Sequence, residues 1–248
     1  MLDFIFEYAI IETTMIGEKV KKYKYNIDVS EMTEAGLHFG HRTSRIHPKI
    51  KPYIIGVKNT VHVFDLEQTA EKLEKALGYI EKLISEDKKI LFVGTKVQVK
   101  NLLKETAEEC KMPYIHERWL GGTFTNFGTM KKRIDHFKEL EGEKERGELE
   151  KYTKKERLVI DKKLAKLEIK FGGIKNIVGL PDAVFVLDMK KDSLAVKEAI
   201  MKNIPVIAIA DTNVDPNLAD YPIPANDDAI SSVKYILEKV KSAIINKK

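Results

Sequence analysis

Between residues 62 and 110, and again between 183 and 245, short apolar runs alternate with stretches that repeat at helical spacing. Ile90-Leu91-Phe92-Val93 is wholly apolar and ends at Gly94; it is too short for a helix and shows no polar alternation, as a strand buried on both faces reads. Before it, Leu73, Leu77, Ile80 and Ile84 recur with charges between them, which predicts an amphipathic helix. A second helix is expected over 96–110, then a short strand at Pro113-Tyr114-Ile115. The same order resumes with Ala183 to Asp188, a helix near 192–202, the run Pro205 to Asp211, a short piece around Ile223 and a helix near 227–245. Strands joined by helix-sized connections imply right-handed crossovers, and so a parallel sheet covered on both faces. The fold class is α/β, a doubly wound parallel sheet.

Between the two halves the pattern changes. From Lys131 to Lys170, 24 of 40 positions are charged, 14 basic and 10 acidic. The apolar residues there form narrow seams: Phe127, Met130, Ile134 and Phe137, then Ile160, Leu164, Leu167 and Phe171. Gly142 and Gly147 interrupt the run, and Thr153-Lys154-Lys155-Glu156 reads as a capping box that opens a second helix. Two such helices make an antiparallel hairpin, whose arms of about 20 residues would reach about 30 Å. With so little apolar surface the hairpin is expected to project, with Lys-rich faces available to a partner. The expected organisation is therefore an α/β domain from residues 29–125 and 172–248, a hairpin insert at 126–171, and an extension over 1–28, poorly ordered and without a packed role. Met15 is an alternative start within that extension.

Composition narrows the classes. Hydrophobic residues at 43% of 248 exclude a disordered chain, and a mean hydropathy of -0.29 gives no hint of a membrane protein. The apolar stretch from Leu2 to Ile11 is broken by Asp3 and Glu7 and has no basic flank, unlike a secretory signal. A single cysteine, Cys110, excludes a disulfide framework and points to a reducing compartment, by default the cytosol.

Charge is informative through its placement. The net charge is only +5, yet the thirty residues from Ala35 to Phe64 contain no Asp or Glu and hold Arg42, Arg45, Lys49, Lys51 and Lys58. The same window contains His38, His41, His47 and His62, beside Pro48, Pro52 and Tyr53. Such a Pro-fixed loop suits phosphate and sugar contacts, where a carboxylate would repel. His38-x-x-His41 lacks a nearby carboxylate or thiolate in sequence to complete a metal site. A second cluster runs from His116 through Arg118, Trp119, Gly121 and Gly122 to Lys131, Lys132 and Arg133. There guanidinium and backbone can both approach a partner closely, although Trp119 also reads as a core anchor beneath a turn.

Catalytic signatures are weak. Gly94-Thr95-Lys96 lacks the spacing of a phosphate-cradling loop, no Gly-x-Gly-x-x-Gly follows a strand, and no Gly-x-Ser-x-Gly elbow exists. Asp188, Asp211 and Asp215 would stand at the carboxyl ends of strands, which leaves a magnesium-dependent phosphoryl-transfer or hydrolytic enzyme as the competing reading. Caps and turns account for the same aspartates.

Several motifs stand together in order: Ala35-Gly36-Leu37-His38-Phe39-Gly40-His41, His47-Pro48-Lys49-Ile50-Lys51-Pro52-Tyr53-Ile54, Ile90 to Lys96, Glu117-Arg118-Trp119-Leu120-Gly121-Gly122, Phe171-Gly172-Gly173-Ile174, Gly179-Leu180-Pro181-Asp182-Ala183, Asp211-Thr212-Asn213-x-Asp215-Pro216 and Ile223-Pro224-x-Asn226-Asp227-Asp228-Ala229-Ile230. From about Val29 to Ile245 the chain resembles the second small-subunit ribosomal protein family, in its bacterial or organellar form. The resemblance implies a flavodoxin-like sheet with an inserted coiled-coil hairpin, and a structural role in the small ribosomal subunit during translation. It further implies binding to small-subunit ribosomal RNA and to neighbouring ribosomal proteins, including recruitment of the large mRNA-binding first ribosomal protein. No catalysis, cofactor, resident metal, membrane or small-molecule substrate is implied, and the expected location is the cytoplasmic ribosome. The acidic tail of some members has no counterpart here. The residues expected on RNA are Arg42, Arg45, His47, Lys49, Lys51, Lys58, Arg118 and Trp119, with Lys131, Lys132, Arg133, Lys154 and Lys155 from the hairpin.

Overall fold

The structure, a computed structural model, describes residues 23–246. Five strands form one parallel sheet: β4 (Ile90–Val93), β5 (Tyr114–Ile115), β6 (Ala183–Val186), β7 (Val206–Ala210) and β8 (Tyr221–Pro224). Their order is β5-β4-β6-β7-β8, with Phe92 opposite Phe185, Val186 opposite Ala208 and Ala210 opposite Pro224. Numbered within this sheet the order is 2-1-3-4-5, the flavodoxin-like arrangement, and its topological switch point falls between β4 and β6.

Side chains leave each strand alternately to its two faces, and the apolar runs therefore feed two cores. Ile90, Phe92, Phe185, Ile207, Ile209 and Ile223 pack under α2 (Leu66–Ser85), α3 (Lys100–Glu109) and α7 (Ile230–Ile245). Leu91, Val93, Val184, Val186, Val206 and Ala208 pack on the opposite face against α6 (Ser193–Met201) and the root of the helical insert. The helices expected from periodicity are present, and Leu73, Leu77 and Ile80 are fully buried, with Ile84 nearly so.

The window from residue 35 to 64 is not a loop. It folds as β1 (Phe39–Arg42), β2 (Ile54–Lys58) and β3 (Val61–Phe64) in an antiparallel sheet of order β1-β3-β2, with a short 3-10 turn over Pro48–Tyr53. The hairpin between β2 and β3 turns at Asn59 and Thr60, both with positive φ (48° and 65°), the conformation that suits the right-handed twist of paired strands.

The insert consists of α4 (Phe127–Glu145) and α5 (Lys154–Phe171). Lys144 pairs with Asp161 at 2.7 Å, and His136 lies 3.0 Å from Lys163, so the two helices run antiparallel. Met130, Ile134, Phe137, Leu164 and Phe171 are buried along the seam. Thr153 and Glu156 cap α5 reciprocally.

Residues 23–28 correct the expected N-terminal boundary. Tyr23 and Tyr25 pack against the first core, Ile27 is buried, and Asp28 caps α1 (Val29–Glu34). These aromatic and aliphatic side chains remove apolar surface from water over α2 and α7, which gives the segment a packed role. The remainder of the expected extension, residues 1–22, lies outside the described residues.

Candidate nucleic-acid interface

The small sheet presents its cations outward. Arg42, Arg45, Lys51 and Lys58 are exposed, and none of them forms an ion pair among the described residues. The module is fastened to the loop after β7. His41 N–H donates to Thr212 Oγ1 at 2.9 Å and His47 N–H to the Thr212 carbonyl at 2.8 Å. Gly40 permits that approach, because a Cβ there would strike the Thr212 side chain.

The acid-free window does not stay acid-free in space. Lys49 Nζ lies 2.7 Å from Asp215 Oδ2, and that pairing holds the Asp215 carboxyl below its usual range. His47 accepts from Lys49 N–H at 3.4 Å as the cap of the 3-10 turn. These two residues, expected on RNA, serve first to hold the module together. The other four cations form no ion pair among the described residues, although Arg45 is near enough to Asp228 to help hold that carboxyl below its ordinary value.

The second cluster is a buried clamp with an exposed edge. Glu198, on α6, is 4% exposed and accepts from Gly122 N–H at 2.8 Å, Phe124 N–H at 2.9 Å and Thr125 N–H at 3.1 Å. Trp119 Nε1–H donates to the same carboxylate at 3.2 Å. Burial pushes the Glu198 carboxyl up, but these donors outweigh it and hold the group below its ordinary value. Trp119 is therefore corrected from an RNA contact to an anchor. It is 6% exposed, edge-on to Phe124 at 4.8 Å, and occupied by Glu198. Arg118 is carried to the surface by this turn and has no ion-pair partner among the described residues. Nothing local in the sequence marks Glu198 as the clamp, because its partners lie more than seventy residues away.

On the insert, Lys132, Arg133, Lys154 and Lys155 are exposed. Lys131 is partly committed elsewhere, with Asp135 Oδ1 at 3.3 Å and the Ile177 carbonyl at 3.1 Å.

At the switch point the loops after β4, β6 and β7 meet the start of α7. Lys96 Nζ reaches Asp188 at 3.2 Å, Asp227 at 2.7 Å and Asp228 at 2.6 Å. Burial alone would depress the lysine, but the Asp227 and Asp228 carboxylates raise it well above its ordinary value. Asp227, 2% exposed, is pushed up to about 7 by burial and by the neighbouring Asp211 and Asp188 carboxylates. His41 Nδ1 lies 3.1 Å from Asp211 and Nε2 lies 3.5 Å from Asp228, and the Asp211 bond raises the imidazole despite partial burial.

Residues 32–247 match the family described as ribosomal protein S2. Over 214 residues, 86% of this chain and 92% of the relative, the chain is 48% identical to "Small ribosomal subunit protein uS2" of Baumannia cicadellinicola subsp. Homalodisca coagulata. The chain belongs to the ribosomal protein S2 family. It is a bacterial-type structural component of the small ribosomal subunit, cytoplasmic, and not an enzyme. Among the described residues no helix is long and apolar enough to cross a membrane.

The S2 fold accounts for the aspartates of the competing enzymatic reading. Asp188 accepts from Lys190 and Lys191 N–H at 2.8 and 2.7 Å and faces Lys96. Asp211 faces His41, and Asp215 faces Lys49. The three carboxylates thus address three different basic side chains, and Lys96 fills the crevice where a doubly wound enzyme would take its ligand. His38 packs against Phe39 with ring centroids 3.9 Å apart rather than joining His41. The carboxylates missing from the His-x-x-His neighbourhood in sequence come from across the fold. Ligand atoms of His41, Asp211 and Asp228 lie within 4.8 Å of one another; a divalent cation there would compete with Lys96 for Asp228.

Proposed function

We propose that this S2-family chain binds small-subunit ribosomal RNA through two basic surfaces. The first comprises the small antiparallel sheet and the Arg118 turn; the second is the helical insert acting as a coiled-coil arm. The observation that carries this reading is the exposure of Arg42, Arg45, Lys51, Lys58 and Arg118, none of which forms an ion pair among the described residues, on a chain whose other charges cancel. Cations of this kind neutralise phosphates and release condensed counterions, while the folded shape of an RNA junction supplies specificity. Recruitment of the mRNA-binding first ribosomal protein follows from the family resemblance. Apolar side chains left in solvent on the small sheet, Phe39, Ile55 and Val57, suit a protein neighbour beside the RNA.

The test is a triple charge reversal, Arg42→Glu, Arg45→Glu and Lys51→Glu, in a tagged chain followed on sucrose gradients. The variant is expected to leave the small-subunit fractions while its thermal melt stays that of the wild type. Undiminished co-sedimentation overturns the reading. For the wild type, log affinity for small-subunit RNA should fall with log salt by about 0.7–0.9 per phosphate neutralised.

A further inference from the structure

The root of the helical insert carries a cleft that neither the family nor the charge pattern explains. Its volume is about 410 Å³. The floor is apolar, built from Leu120 of the Arg118 turn and from Leu167 and Phe171 of α5. The rim is cationic: Lys132 and Arg133 stand on α4, Lys170 stands on α5, and no carboxylate lines the cleft.

The arrangement follows from helical geometry. On α4 the buried stripe is Met130, Ile134 and Phe137, while Thr129, Lys132, Arg133 and His136 fall at spacings of three, one and three on the flank beside it. On α5, Leu167, Lys170 and Phe171 share one face at the last turn. Leu120 closes the end because Glu198 holds residues 119–125 in place through Trp119, Gly122, Phe124 and Thr125. The cleft thus sits where the turn that carries Arg118 meets the two helices of the insert.

An apolar slot this small, ringed by cations and without acids, matches one kind of occupant better than others. An acidic peptide uses both floor and rim only where an aromatic side chain is flanked by carboxylates, whereas in RNA every base has a phosphate on either side, and a purely apolar segment would leave the cations unmatched. A nucleotide supplies both, a flat base for the floor and phosphates for the rim. We propose that this cleft receives an unstacked nucleobase of small-subunit RNA, with Lys132, Arg133 and Lys170 gripping the phosphates on either side. The inference rests on the RNA-binding reading above and specifies how one of its surfaces recognises RNA.

The test fills the slot without touching its charge. Thr129, on the rim and exposed, is replaced in Thr129→Phe, and a separate variant carries Lys132→Ala with Arg133→Ala. The probe is purified small-subunit RNA, titrated over a range of salt concentrations. Thr129→Phe is expected to weaken binding about tenfold, as loss of one stacked base does, with an unchanged salt slope. The double alanine variant is expected to flatten that slope by about 1.4–1.8. Wild-type affinity in Thr129→Phe overturns the base pocket while leaving RNA binding intact. An rRNA affinity unchanged in Thr129→Phe, with comigration with small subunits lost, assigns the cleft to a protein neighbour and also overturns it. No binding of the RNA by the wild-type chain overturns both readings. Ultraviolet crosslinking of the wild-type complex provides an independent readout: the proposal expects a crosslinked base within residues 118–133 or 163–175, and a map of crosslinks confined to other peptides contradicts it.

Discussion

At the residue scale the most consequential group is one whose charge never reaches a partner. Glu198 lies under the turn that carries Arg118 and satisfies three backbone N–H groups and an indole. Removing a buried ionised acceptor leaves such donors without a match, at a cost of about 2–3 kcal/mol. Glu198→Gln keeps the shape but turns an amide N–H₂ toward donors. Its folded carboxyl is held low, so the wild type's advantage is present above the unfolded value near 4.3 and is lost as pH falls through the folded value. Urea titrations should therefore show a gap between wild type and Glu198→Gln that is full at pH 7 and narrows below pH 4. A gap constant with pH contradicts this role. Trp119 illustrates why the residue type alone was ambiguous: tryptophan beside arginine suits both a stacking platform and a core anchor, and the choice was made by a carboxylate from α6.

At the scale of elements, strands such as Ile90–Val93 and Val206–Ala210 were legible because burial on both faces writes itself as an uninterrupted apolar run. The two charged helices between the halves of the sheet were legible for the same kind of reason: their apolar spacing, Gly147 with φ 75° between them and the capping box of the second are local signals. Thr153→Ala removes one half of that box. It should loosen the first turn of α5, where Lys154 and Lys155 stand, by about 1 kcal/mol, seen as roughly fivefold faster amide exchange across that turn and no change in the sheet. Unaltered exchange would show that packing, not the cap, holds the turn. The small antiparallel sheet was not legible. Its strands are short, Phe39 pairs with Val63 across more than twenty residues, and Pro48 and Pro52 punctuate the interval as a loop would. Only the long-range pairing reveals it.

For the whole molecule, Lys96 is the point where three stretches of chain converge. It draws the loop after β4 onto Asp188, Asp227 and Asp228, while Asp228 and Asp211 in turn hold His41 and with it the small sheet. Lys96→Met leaves buried carboxylates facing one another, which costs about 3–5 kcal/mol. Asp227 is raised to about 7, so in the wild type its own contribution declines as pH rises from the unfolded value near 4 toward 7. Without the lysine the repulsion is greatest once Asp227 ionises. The deficit of Lys96→Met in urea midpoint should accordingly be larger at pH 8 than at pH 5.5. Equal deficits at both values would mean that Lys96 does not balance Asp227.

By itself the amino-acid sequence determined the parallel α/β layering, the charged helical insert and the concentration of cations before residue 64, because burial, helical period and charge are properties of neighbours along the chain. Tertiary structure decided which cations remain unmatched, because the carboxylates that meet Lys49, Lys96 and His41 arrive from residues up to 187 positions away. Coulomb attraction acts through space and not along the sequence.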